Sequence, residues 1–397
     1  MLWNWQQTDW PNFTWKQARL APAEKRFRSG GGVFLGTIRH IAGEQRRLLL
    51  VEAMSTESAT TSAIEGEVLD RASVQSSIQR QLGLKADPKR VRPSEEGVAE
   101  MMVDLYRTSA KPLSEEMLFG WHRRLMKGRG LRDLGRYRDR GDPMQVISGA
   151  IGKPRIHFEA PPARRIASEM KRFVAWFNRT GAEGKTPLPA LTRAGAAHLY
   201  FESIHPFEDG NGRIGRAIAE KALAQGASET ADEPVLLSLS ATILAHRGDY
   251  YRALERANKN NEITVWLAWF AGIALEAQQR TLASVDFLIE KTRLIDSLRG
   301  EIHPRQHKAI LRMLREGPEG FKGGLSAGNY ATITGASPAT TTRDLADLVE
   351  RGALLRTGEL RHARYHLNLK LQPPRSITIN QRGDILEKTA IGPLTEN

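Results

Sequence analysis

Apolar residues recur at three- and four-residue intervals along 188–203, 217–225, 240–258 and 264–288, and Pro or Gly clusters separate the stretches. That spacing predicts helices that each bury one face, so the fold class is all-α, a helical bundle. Trp3, Trp5, Trp10 and Trp15 crowd the start around Pro11, which predicts a short extended segment laid over a core. Residues 144–158 alternate around Gly152 and Lys153, the pattern of a small β-hairpin. Residues 85–93 read as a connector. Beyond Gly300 the pattern predicts helices over 304–315, 327–333 and 338–351, then two strands within 353–369 turning at Thr357-Gly358. Helix, helix, helix, hairpin is the order of a winged helix-turn-helix. Four regions follow: an N-terminal helical region (1–95), a central core (96–290), a winged helix-turn-helix (300–372) and a tail (373–397).

Composition narrows the class. With 40% hydrophobic and 26% charged residues in 397, the chain can fill the cores of two or three globular domains. The absence of cysteine excludes disulfides, thiolate metal ligands and a catalytic thiol. The longest apolar run, 265–275, is too short to cross a bilayer and the first ten residues lack a leader pattern, so the expectation is a cytoplasmic protein with no membrane partner. A formal charge of +13 calls for an acidic partner, and it is unevenly spread: 121–172 holds fourteen Lys/Arg against five Asp/Glu, and 301–372 eleven against seven.

The densest chemistry lies in 205–216, His-Pro-Phe-Glu-Asp-Gly-Asn-Gly-Arg-Ile-Gly-Arg. A glycine-rich loop leading into a helix points free amides at an anion, and the helix dipole favours one there. Phosphate is the natural guest. Gly210 and Gly212 let the backbone approach, Asn211 can hydrogen-bond a phosphate oxygen, and Arg213 and Arg216 can each fork onto a phosphate. Residues 210–215 also fit the dinucleotide fingerprint G-x-G-x-x-G, but a helical pattern precedes them where that fingerprint needs a strand.

His205-x-Phe207-x-Asp209-Gly210-Asn211-Gly212-Arg213-x-x-Arg216 resembles, at every specified position, the signature of Fic-domain proteins. The resemblance covers about 97–288 and implies a Fic helical bundle with a β-hairpin flap over the site. The implied activity is that of a protein adenylyltransferase, which moves AMP from ATP to a Ser, Thr or Tyr hydroxyl of a target protein. Such an attack on phosphorus needs a base, and an imidazole suits it, which makes His205 the catalytic candidate. By the same likeness Asp209 is the ligand of Mg²⁺, and Phe207 anchors the loop in the core.

Thr61-Ser-Ala-Ile-Glu65-Gly66 resembles the inhibitory motif Ser/Thr-x-x-x-Glu-Gly/Asn of that family. Thr61 and Glu65 stand one helical turn apart, and the resemblance implies that Glu65 pairs with Arg216 and displaces the ATP γ-phosphate. A close pair is worth about 4 kcal/mol at an effective dielectric of about 20, enough to suppress productive binding. The same glutamate serves in some relatives to remove AMP, a reverse deAMPylation that the residues do not separate from inhibition.

The remaining signals are weaker. His303/His307 and His362/His366 have i, i+4 spacing without further ligands and are not read as metal sites. Tyr250 and Tyr251 are read as core. The alternative function is a nucleotide-sensing DNA-binding regulator acting through the winged helix. Against it stand Asp344, Asp347 and Glu350 on the recognition helix, which favour protein or homodimer docking instead.

Overall fold

The computed structural model describes residues 2–39, 41, 43–86, 91–140, 143–148, 155–227, 237–317, 321, 323–371 and 374–389. These divide into two compact units, one of residues 1–280 with 375–397, the other of residues 281–374. The fold is mostly helical, with three separate two-stranded sheets among the described residues.

The first unit opens with a single 3-10 turn, Asn4–Gln6, so the tryptophan-rich start is the non-helical cover that its pattern predicts. Trp5 donates to the Glu159 carbonyl at 2.6 Å and Trp10 to Glu169 at 3.1 Å. Helices α1 (Gln17–Arg39), α2 (Gly43–Ile64), α3 (Arg71–Gln81), α4 (Pro93–Arg107) and α5 (Glu115–Leu125) follow. Strands β1 (Gln145–Ser148) and β2 (Arg155–Glu159) pair antiparallel, giving the predicted hairpin; its turn, with Gly152 and Lys153, falls outside the described residues.

Next come α6 (Ala163–Arg179), α7 (Ala190–Ile204) and α8 (Asn211–Ala227). Every side chain of α7 from Leu191 to Ile204 is buried, which explains its alanine-rich composition: a helix covered on all sides has no polar face. The pattern over 240–258 predicts one helix, but the chain forms α9 (Leu239–Ala245) and α10 (Arg247–Ala257). They part at His246, whose ring is drawn 3.1 Å from Glu276 on α11 (Thr264–Ser297).

Buried carboxylates tie these helices together. Both Glu57 oxygens on α2 accept from the Ser240 amide, at 2.9 and 3.0 Å, at the start of α9. Burial pushes the Glu57 carboxyl up to about 7.

The second unit has its own core, built from Leu298, Ile310, Leu314, Tyr330, Leu345, Leu348 and Leu354. Its helices are α12 (Pro304–Leu314), α13 (Ala327–Thr334) and α14 (Pro338–Glu350), followed by the antiparallel pair β3 (Leu354–Thr357) and β4 (Arg364–Leu367). Leu325 and Tyr365 exchange backbone hydrogen bonds at 2.8 and 2.9 Å, which docks the segment before α13 beside β4.

Residues 375–389, expected as tail, instead form a hairpin of β5 (Arg375–Ile379) and β6 (Ile385–Thr389). Alternating Ser376, Ile377, Thr378 and Ile379 fit a pleat, and the Asn380 side chain closes the turn by accepting from Arg382 and Asp384. The hairpin belongs to the first unit, where Arg19 donates to the Asn380 carbonyl at 2.9 Å.

Candidate active site

The site is the turn between α7 and α8. His205 caps α7 in the left-handed region (φ 51°, ψ 60°), where its amide donates to Phe201 at 3.0 Å. That backbone costs a residue with a Cβ about 1–2 kcal/mol, so surrounding contacts must hold it. Arg138 does so: its amide donates to Pro206, and its guanidinium to the His205 carbonyl (2.9 Å) and the Pro161 carbonyl (2.5 Å).

Phe207 is fully buried, as expected of an anchor, and stacks on His122 with ring centroids 4.2 Å apart. His122 Nδ1 accepts from the Gly135 amide, which leaves Nε2 to donate to the Asp209 carbonyl at 3.2 Å. Burial lowers this imidazole to about 4, so it stays neutral and serves as a fixed spacer under the loop.

Asn211 is placed differently from its expected role. Its Oδ1 accepts from the Phe207 amide and its Nδ2 donates to the Phe207 carbonyl, both at 2.9 Å, so its side chain closes the turn instead of facing an anion. Gly210 lies at φ 83°, and a Cβ there would stand 2.4 Å from the Met126 methyl group. A Cβ on Gly212 would stand 2.3 Å from Glu65 Oε1, so an anionic oxygen already rests over the first turn of α8.

That oxygen is held by Arg216. Its Nη2 donates to Glu65 Oε1 at 2.7 Å and to the Thr61 carbonyl at 2.9 Å, and its Nε donates to Thr61 Oγ1 at 2.8 Å. Arg216 is buried and its Nη1 has no partner. Burial alone would lower its pKa, but the charge and hydrogen bond of Glu65, together with Tyr250 and Glu202, outweigh that and raise it. The end of α2 is pinned in turn, because the Ile64 carbonyl accepts from Arg247 at 2.8 Å and Tyr251 at 3.1 Å. Tyr250 is core, bonded to His198 at 2.9 Å.

A second carboxylate was not legible in the motif. Gly66 turns the chain at φ 83°, and Glu67 reaches Arg213 Nη1 at 2.7 Å and also pairs with Arg129. Residues 65 and 67 thus occupy Arg216 and Arg213 respectively. Asp209 lies 3.6 Å from Arg129 and 3.7 Å from Arg213, with about half of its side chain exposed. One accessible carboxylate at the mouth of an anion-binding turn fits Mg²⁺, which takes one or two carboxylates and completes its shell with phosphate and water. Beside these pairs lies an open cleft of about 570 Å³, lined in part by Glu65, Glu67, Arg92, Lys127 and Arg129.

His205 itself is mostly buried, its Nδ1 unpartnered and 3.9 Å from Glu202. Burial, reinforced by the Arg138 charge, lowers its pKa to about 4, so the ring is a neutral base. Burial raises Glu202 to about 8, which keeps that neighbour protonated and avoids a second buried charge.

The turn between α7 and α8 thus leads into a helix whose two buried arginines are each paired with a carboxylate, Arg216 with Glu65 and Arg213 with Glu67. Residues 112–223 match the Fic/DOC family, and residues 3–84 match a domain of unknown function, DUF4172. The central part of the chain, residues 112–223, therefore belongs to the Fic/DOC family. It is 28% identical over 120 residues to a probable protein adenylyltransferase of Aquifex aeolicus, a stretch that covers 30% of this chain and 32% of that one. The chain therefore spans about a third of that relative's length. Among solved structures, a Fic family protein from Desulfovibrio desulfuricans is 22% identical with a TM-score of 0.47, covering 88% of this chain and 97% of that one. A Fic-domain signalling protein from Bacteroides thetaiotaomicron is 17% identical with a TM-score of 0.48, covering 66% of this chain and 97% of that one. No helix among the described residues is long and apolar enough to cross a membrane.

Proposed function

We propose that this protein is an autoinhibited protein adenylyltransferase that uses ATP and a target-protein hydroxyl. The observation that carries the reading is the Glu65 carboxylate on Arg216, 2.7 Å away, over the first turn of α8. An internal anion occupies the place where a triphosphate would be held.

In the transfer step the target oxygen attacks the α-phosphorus of ATP while the bond from that phosphorus to the bridging oxygen breaks. Pyrophosphate leaves with the bond's electron pair. His205, neutral at physiological pH, takes the hydroxyl proton. The α8 amides with Gly210 and Gly212, together with Arg213 and Arg216, bind and orient the phosphates. Asp209 would hold Mg²⁺, which supplies charge neutralisation on the phosphates when bound. The β1–β2 hairpin is the flap on which a target segment would lie.

Arg216 must leave Glu65 before it can take a γ-phosphate, so the resting enzyme is slow. Glu67 adds a second hold on Arg213. In the same reading the second unit, residues 281–374, is a winged helix-turn-helix inserted in the chain of the catalytic unit. Glu65 would also be the residue that supports AMP removal; release of bound label by the wild type but not by Glu65→Gly would mark that reverse reaction.

Incubation with ATP labelled at the α- or γ-phosphorus tests the reading. Label kept on protein from the α position alone is expected, and retention from the γ position would overturn it in favour of a kinase-like reaction.

A further inference from the structure

The three acidic residues of α14 stand against nucleic-acid binding only if their charge is unpaired at the surface; one of them is buried and a second is half-buried and paired, which leaves Glu350 exposed. Asp344 is buried: Arg305 donates to both of its oxygens, at 2.6 and 2.9 Å, and the Tyr330 hydroxyl donates to one at 2.9 Å. Asp347 accepts from Gln306 at 2.7 Å and from Arg351 at 2.9 Å. The carboxylates are spent on holding α14 against α12 and α13.

The surface that remains is of opposite character. Helix α13 contains no charged residue. The exposed positions in the first two turns of α14 are Pro338, Ala339, Thr342 and Arg343, small or hydrogen-bonding except for one cation. A helix start of this kind fits a major groove without steric conflict. The β3–β4 hairpin adds Arg356 and Arg361, both exposed, and the half-buried Arg364. Arg364 donates to the Ala363 carbonyl at 2.9 Å. Leu360 at the hairpin tip is 88% exposed in a left-handed conformation (φ 47°), between the exposed Glu359 and Arg361.

We propose that the second unit binds duplex DNA, with the N-terminal turns of α14 in the major groove and Arg356, Arg361 and Arg364 on the phosphate backbone. Backbone contacts supply affinity and register, and Thr342 and Arg343 are the side chains placed to meet base edges. The inference stands apart from the transferase reading, and self-labelling with AMP reports on that reading separately.

The test is fluorescence anisotropy of the full chain with a duplex of about 25 base pairs, read from about 50 to 200 mM salt. Binding that weakens with salt at a log–log slope near −3 is expected from about three or four phosphate contacts. Replacing Arg356, Arg361 and Arg364 by Gln should weaken binding more than tenfold and flatten the slope by about three, with self-labelling unchanged. Arg343→Ala, a single exposed change, should weaken binding several-fold and serves as the check should the triple variant lose its thermal transition. The control is Lys171→Gln with Arg172→Gln on α6, both exposed in the other basic stretch. The proposal is overturned by no binding at 50 mM salt, by wild-type binding of the wing and Arg343 variants, by a loss confined to the α6 variant, or by tighter binding of single-stranded DNA or hairpin RNA.

Discussion

Two helix pairs in this chain are built alike and loaded differently. Helices α7 and α8, and α13 and α14, are each joined by a short turn whose first residue caps a helix in the left-handed region: His205 in one, Gly335 in the other. Gly335 adopts φ 74° without a Cβ to strain, and a Cβ there would meet nothing. His205 accepts the same geometry against its preference, clamped by Arg138 and undercut by the buried Phe207. The charges are sorted in opposite ways. Around α7 and α8 they are drawn inside, Arg213 and Arg216 buried against carboxylates from residues 65 and 67. Around α13 and α14 the buried carboxylate Asp344 is spent on structure, and Arg356 and Arg361 of the hairpin are exposed. A strained turn with interior charge suits chemistry on a small anion; a relaxed turn with exterior charge suits contact with a large one.

Exchanging the two caps gives the largest expected effect. His205→Ala should lower AMP transfer by about 10²–10⁴-fold, measured as label from α-labelled ATP, because it removes the base. His205→Gly should do the same while leaving the melting temperature unchanged or raised, since the strain goes with the side chain. A large fall in melting temperature with His205→Gly would mean that the turn is held by the ring and not by Arg138.

The carboxylate pairs come next. Glu65→Gly should raise self-labelling about tenfold or more by freeing Arg216, each tenfold corresponding to about 1.4 kcal/mol. Glu67→Gln should raise it only a few-fold, because Arg213 also has Asp209 within 3.7 Å and Glu67 is shared with Arg129. The two changes meet on one turn and should not add; a double variant faster than the product of the singles would show a cooperative release.

Gly335→Ala, in the other turn, should cost about 1 kcal/mol of stability, seen as a lower unfolding midpoint of the second unit, with labelling intact. The smallest effect is on pH. With its pKa lowered to about 4, His205 is already deprotonated at pH 6, so transfer by Glu65→Gly should be nearly flat between pH 6 and 8 and fall only toward pH 4. An ordinary histidine of pKa about 6.5 would give roughly a fourfold rise over that span.

Much of this was readable in the residues. Helix spacing predicts α7, α8 and the order of elements after Gly300, because each element there repeats its own period. The pairing of Glu65 with Arg216 comes from the likeness of 61–66 to a family motif, and the geometry carries that pair at 2.7 Å. What escaped depends on distant neighbours. Arg138 and Arg129 look like any members of a basic stretch until the fold brings them to residues 205 and 67. Glu67 escapes helical spacing because Gly66 turns the chain before it. The turn-closing bonds of Asn211 carry no signal in the loop's composition, because an amide that can serve a phosphate can equally serve the backbone four residues earlier. The β5–β6 hairpin did carry a signal, Asn380 and Gly383 between two β-branched runs, which its position at the end of the chain obscured.

That hairpin makes the second unit an insertion and not an appendage. The chain leaves the first unit after Arg280 and rejoins it at Arg375, whose amide donates to Gln279 at 3.0 Å. A protease cut anywhere in 281–374 would therefore leave both fragments bound to one body, converting a covalent tether into a contact that dilution can break. Excising the insert with a short bridge from 280 to 375 is the route to a catalytic unit on its own, since simple truncation would also strip two strands from the body it aims to isolate.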